Sequence, residues 1–124
     1  PVFVNGHDGL LIEVAAGLLE GAAPEQRIRD EAEEETGYRV HDVKKIFEAY
    51  MSPGSVTEKL HFFIAEYDAK SKVSEGGGLE EETEELEVLE WSFDEALAAF
   101  QRGEICDAKT IMLLQYAAMK NLFA

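Results

Sequence analysis

The stretch Arg29-Asp30-Glu31-Ala32-Glu33-Glu34-Glu35-Thr36-Gly37-Tyr38 decides how this chain reads. Five of the six positions from Asp30 to Glu35 are carboxylates. The spacing predicts a helix over Pro24 to Thr36. Pro24 suits a first turn, where its missing N–H has no intrahelical partner to lose. Gly37 suits the left-handed position just past a helix end. The acids therefore crowd the C-terminal turn, where the helix dipole favours cations. Glu31 and Glu35 share a face one turn apart, and Glu34 stands three residues from Glu31. Each like-charge pair at such spacing costs about 0.2–0.5 kcal/mol. A helix built against its own electrostatics calls for compensation, and a divalent cation supplies it. Mg²⁺ prefers carboxylate oxygens and often takes substrate phosphates as its remaining ligands. The competing reading is a solvated acidic helix, since acidic runs on helices are common.

The flanks separate the two readings. Gly17-Leu18-Leu19-Glu20 precedes the helix and Pro24-Glu25 opens it. The whole stretch from Gly17 to Val40 resembles the Nudix box, G-x5-E-x7-R-E-U-x-E-E-x-G-U. Glu31 to Tyr38 matches the second half of that box position by position. The first half departs from it. The stretch between Gly17 and the helix is one residue short of the pattern; counted back from Glu31, Ala22 occupies the place of the box's first Glu, and Asp30 the place of its Arg. Arg29, one residue earlier, points about 100° away around the helix.

Pro53 lies sixteen residues after Gly37, a spacing that looks like the branch of the Nudix superfamily acting on ADP-ribose and nucleotide sugars. Further stretches carry the same likeness: Phe47 to Gly54, Val56-Thr57-Glu58, His61 to Tyr67, Gly76-Gly77-Gly78, Leu86 to Glu90 and Gly103-Glu104-Ile105. The resemblance implies an enzyme, a Mg²⁺-dependent hydrolase (Mn²⁺ the alternative) that splits the diphosphate of a nucleotide sugar. GDP-mannose is the leading substrate, giving GMP and mannose 1-phosphate. ADP-ribose is the alternative, and a non-catalytic nucleotide-sugar sensor a third reading. By the same resemblance, the metal ligands are Glu31, Glu35, the backbone carbonyl of Ala16 and Glu84. The general base is Glu82 or Glu84 on the run Glu80 to Glu85, with Glu34 the next candidate. Gly17, Pro53 and Glu58 are expected at the substrate. A homodimer is implied as well. Relatives carry residues ahead of Pro1, so N-terminal strands are expected to be missing from this chain.

Length and composition bound the rest. The 124 residues allow one domain. A formal net charge of −15 argues against a nucleic-acid partner, because binding a phosphate backbone needs Lys and Arg to displace counterions. An anionic diphosphate remains compatible, since bound divalent ions invert the local sign. The single Cys106 suits a reducing compartment. No signal peptide or bilayer-length apolar run is visible, so a cytoplasmic location and no membrane partner are expected.

Strands are expected at Leu11–Ala16, Val43–Met51, Glu58–Tyr67 and Leu86–Trp91, the third of them buried centrally. Pro53-Gly54 signals a turn. Lys70 to Glu85 reads as a mobile loop in which Gly76, Gly77 and Gly78 hinge. They are not followed by Lys and Ser or Thr, so they form no Walker loop. Ser92-Phe93-Asp94-Glu95 has the spacing of a capping box, opening a helix that runs to about Gln101 and stops at Gly103. A last helix is expected over Ala108–Leu122, with Ile111, Leu114, Ala118 and Leu122 on its inward stripe. Trp91 and Met119 are expected in the core. These elements indicate an α/β domain. The resemblance implies the Nudix fold, a mixed β-sheet sandwiched between α-helices.

Overall fold

Helix α1 (Pro24–Thr36) runs between the limits its sequence sets. Pro24 stands in the first turn, and Gly37 closes the helix in the left-handed conformation with φ of 81°. The computed structural model describes residues 11–19, 21–77 and 86–123. Among these the backbone forms three α-helices and one two-stranded sheet, an α/β class. It divides into two compact units, Ala15–Val88 and a second from Pro1–Val14 with Leu89–Ala124.

In the unit around α1, strands β1 (Val43–Tyr50) and β2 (Lys59–Ala65) pair antiparallel, from Val43 opposite Ala65 to Tyr50 opposite Lys59. The register slips between Lys45 and Phe47, so Ile46 is an extra residue, a bulge. The slip turns both Ile46 and Phe47 inward, half-buried. Phe47 packs on Phe62 with ring centroids 4.5 Å apart, and Phe62 is the buried hydrophobic residue of the hairpin. The Pro53-Gly54 turn closes with Ser55 and Val56 N–H groups donating to the Ser52 carbonyl, at 3.0 and 2.8 Å.

Beyond β2, a 3-10 turn at Ala69–Ser71 is capped by Asp68. The chain then returns to the end of α1. Val73 and Ser74 N–H groups both donate to the Gly37 carbonyl, at 2.8 and 3.2 Å, and Gly77 N–H donates to the Glu35 carbonyl at 2.9 Å. Tyr38 bridges Lys72. Residues 70–77 are therefore docked, not the free loop expected from their composition. The helix end leaves carbonyls unpaired, and this segment supplies their partners.

The second unit is built on helices α2 (Phe93–Gln101) and α3 (Ala108–Met119). The capping box forms: Ser92 Oγ accepts from Glu95 N–H at 3.1 Å, and the Glu95 carboxylate receives the Ser92 N–H. Asp107 caps α3 through Thr110 N–H at 3.1 Å. Thr110 is buried; its hydroxyl donates to Asp107 at 2.7 Å and accepts Val14 N–H at 3.0 Å. Burial opposes the Lys109 charge, but its hydrogen bond with Asp107 and the nearby Glu13 outweigh that and raise its pKa above the ordinary lysine value. Ala99, Ile105 and Ala117 form the core here.

Several expectations need correcting. Residues 11–16 and 86–91 are not strands; among the described residues the sheet has two antiparallel strands, within the expected α/β class. A strand exists only where a neighbouring backbone pairs with it, and neither segment meets one among the described residues. With one partner, β2 is not central, and its residues other than Phe62 are half-buried or exposed. Helix α3 stops at Met119, and its inward line runs through Thr110 and Ala117 while Ala118 is exposed. The bonds to Val14 and Asp107 turn Thr110 inward and so set the helix's rotation. Met119 at the helix end and Trp91 ahead of α2 are exposed, at 73% and 37%. No helix among the described residues is long and apolar enough to cross a membrane.

Candidate active site at the acidic face of the first helix

The inward side of α1 is not apolar. Its buried residue is Glu31, 3% exposed, while Ile28 and Ala32 are only half-buried. A carboxylate in such a place must be paired, and Arg27, one turn earlier, forms an ion pair with it. Arg27 also donates from Nε to the Leu18 carbonyl at 2.6 Å. One guanidinium thus ties the helix to residues 16–18.

That loop lies directly on the acids. Ala16 N–H donates to Glu35 Oε2 at 3.1 Å. Gly17 lies so close to Glu31 that a Cβ there would stand 2.5 Å from Glu31 Cγ and 2.7 Å from its Oε1. A Cβ could enter there only if the Glu31 side chain shifted. Ala16, Gly17, Glu31 and Glu35, far apart in sequence, therefore meet at one place. The contact from Ala16 described here is through its N–H.

The other expected residues lie elsewhere. Glu34 is half-buried on α1. Pro53 and Glu58 are exposed in the loop between β1 and β2, and the hydrogen bonds above do not join them to the acidic face. Glu82 and Glu84 lie outside the described residues, as does Gly78. Glu33, at the solvent side, receives Arg39 Nε at 2.6 Å, and this hydrogen bond holds its carboxyl below the usual range.

The donor set suits a hard divalent cation. Two carboxylates meet a backbone loop, and Mg²⁺ commonly uses one or two carboxylates with water and phosphate completing its shell. No group of three acids, histidines or cysteines converges among the described residues.

No family model matches the chain. Among curated proteins, the GDP-mannose pyrophosphatase of Pectobacterium atrosepticum is 55% identical over 125 residues, covering 100% of this chain and 64% of that protein. Those of Yersinia enterocolitica and Salmonella typhimurium are each 56% identical, over 123 and 121 residues. The chain resembles bacterial GDP-mannose pyrophosphatase along its whole length. It spans 62 to 64% of the length of these relatives.

Within the stretch that resembles a GDP-mannose pyrophosphatase, two features were not anticipated from the sequence. Arg27 was legible in principle, since it stands four residues before Glu31 and shares its face. The docking of Gly76 and Gly77 had no local signal. Gly76 has φ of 74°, and a Cβ on it would lie 2.6 Å from the Glu35 carbonyl oxygen. We expect Gly76→Ala to cost clearly more stability than Gly103→Ala. Gly103 has φ of 80° but open space around it, so its replacement reads backbone strain alone, about 1–2 kcal/mol. Urea unfolding of both variants checks this. Equal losses would mean that Gly76 does not bear on the helix end.

Proposed function

We propose that this protein hydrolyses the diphosphate bond of a nucleotide sugar, GDP-mannose foremost, to GMP and mannose 1-phosphate, in a Mg²⁺-dependent reaction. The observation that carries the reading is the meeting of the Ala16–Gly17 loop with Glu31 and Glu35 on one face of α1. The GDP-mannose pyrophosphatases named above support the substrate.

Glu31 and Glu35 would hold the cation, with the Ala16 carbonyl as a further ligand. Bound there, Mg²⁺ would supply charge neutralisation at the diphosphate oxygens. Arg27 and the Ala16 N–H orient the two carboxylates, so that little reorganisation is left for the moment of reaction. Gly17 lets the substrate-side backbone come close to Glu31. Pro53 and Glu58 are proposed at the sugar end. A carboxylate of the 80–85 segment, Glu82 or Glu84, is proposed to take the proton from the attacking water.

The net charge supports a small-molecule substrate over nucleic acid. We further propose that residues 1–124 belong to one domain and that the protein is a cytoplasmic homodimer. Sedimentation of the full-length protein as a monomer at micromolar concentration would exclude the dimer. The substrate is tested by coupled phosphate release from GDP-mannose, ADP-ribose and other nucleotide diphosphates. GDP-mannose is expected to be turned over fastest; a clear preference for ADP-ribose would overturn that choice.

A further inference from the structure

We propose that Arg27 is a built-in counter-ion for Glu31, a positioning residue that sets how tightly the acidic face holds a divalent cation. The proposal rests on the metal reading above. Three observations carry it. Arg27 forms an ion pair with Glu31, whose side chain is 4% exposed. Arg27 is itself largely covered, its side chain 19% exposed, so the pair is not an ordinary solvated one. Its Nε is fixed on the Leu18 carbonyl at 2.6 Å, which keeps the guanidinium beside the carboxylate.

The position matters because this chain carries Asp30 and Ala22 where the box has Arg and Glu. Asp30 adds negative charge beside Glu31 where the pattern has a cation. Arg27 supplies a cation one turn before Glu31 on the same side of the helix. A guanidinium and a divalent cation repel each other, and they compete for the same buried carboxylate. Arg27 therefore stabilises Glu31 when no cation is bound and weakens the cation's hold when one is. Glu31 is kept oriented, while the metal remains exchangeable.

The test compares wild type, Arg27→Gln and the double variant Arg27→Gln with Glu31→Gln, all in the full-length protein. Mn²⁺ is the probe, its free concentration read by electron paramagnetic resonance, and thermal unfolding is followed in chelator and in saturating Mn²⁺. Coupling between an effector and a ligand at separate sites commonly amounts to about 5- to 150-fold in affinity, and a guanidinium paired with the ligand carboxylate itself should reach at least the low end. We expect Arg27→Gln to bind Mn²⁺ at least about fivefold tighter than wild type. Its Tm should fall in chelator, because a buried carboxylate has lost its partner, and should recover in Mn²⁺. The double variant, with a neutral pair, should regain Tm in chelator and lose most of the response to Mn²⁺. It folds without a buried charge, so it remains informative if Arg27→Gln does not fold in chelator.

Arg27→Gln binding Mn²⁺ with wild-type or weaker affinity would overturn the counter-ion role while leaving the metal reading standing. A double variant that responds to Mn²⁺ as strongly as wild type would overturn it too. Failure of wild type itself to bind Mn²⁺ would overturn the metal reading and the proposal with it.

Discussion

Glu35→Gln in the full-length protein is expected to lower turnover of GDP-mannose by about 10²–10³-fold, the usual cost of removing one preorganised electrostatic group from an active site. The fold should be unchanged. Glu35 Oε2 accepts the Ala16 N–H, and a glutamine carbonyl oxygen can accept the same hydrogen bond. The substitution therefore keeps the loop in place and removes only the charge. Removing an acid from the last turn of α1 also relieves repulsion with Glu31 and with the negative end of the helix, so stability should be equal or slightly higher. Glu35→Ala should differ by losing the Ala16 contact as well. Steady-state kinetics in saturating Mg²⁺ together with urea unfolding check both parts. Near wild-type turnover by Glu35→Gln would remove Glu35 from the metal site.

The base should show a still larger effect. Replacing a general base costs about 10²–10⁴-fold in rate. Single Gln substitutions at Glu80, Glu81, Glu82, Glu84 and Glu85 are expected to divide sharply. Glu82→Gln or Glu84→Gln should lower kcat by that order with little change in KM, and the remaining variants should stay within a few-fold of wild type. The contrast discriminates a proton-transfer role from a general loss of negative charge, which every variant shares. Activity retained by all five would move the base to Glu34 or Glu58.

The sequence was most legible where the physics is local. Pro24 and Gly37 bound α1 because one lacks an N–H and the other tolerates a left-handed backbone. Ser92 and Glu95 open α2 because each satisfies the other's backbone. The hairpin followed from two β-rich runs around a Pro-Gly turn. What failed was non-local. Residues 11–16 and 86–91 have strand-like composition, yet strand formation depends on a partner that their own residues do not specify. The rotation of α3 depends on Thr110 reaching Val14, a contact spanning 96 residues. Hydrophobicity alone points Met119 and Trp91 inward, and it decides poorly beside a helix terminus.

The site divides along the same line. Spacing put Glu31 and Glu35 on one face, and the box resemblance pointed to Ala16 and Gly17. That Glu31 is buried against Gly17, with Arg27 holding both Glu31 and Leu18, required the fold. So did the clamp of residues 73–77 on the last turn of α1. It fixes the Gly37 and Glu35 carbonyls, and with them the backbone from which Glu35 projects.

The proposed reaction cuts the diphosphate itself. ³¹P NMR of GDP-mannose with the full-length protein and Mg²⁺ tests it most directly. Both diphosphate resonances should be lost and two phosphomonoester resonances should grow, those of GMP and mannose 1-phosphate, with no change in chelator. Diphosphate resonances that persist as GDP while mannose is released, or that stay unchanged in Mg²⁺, would contradict it.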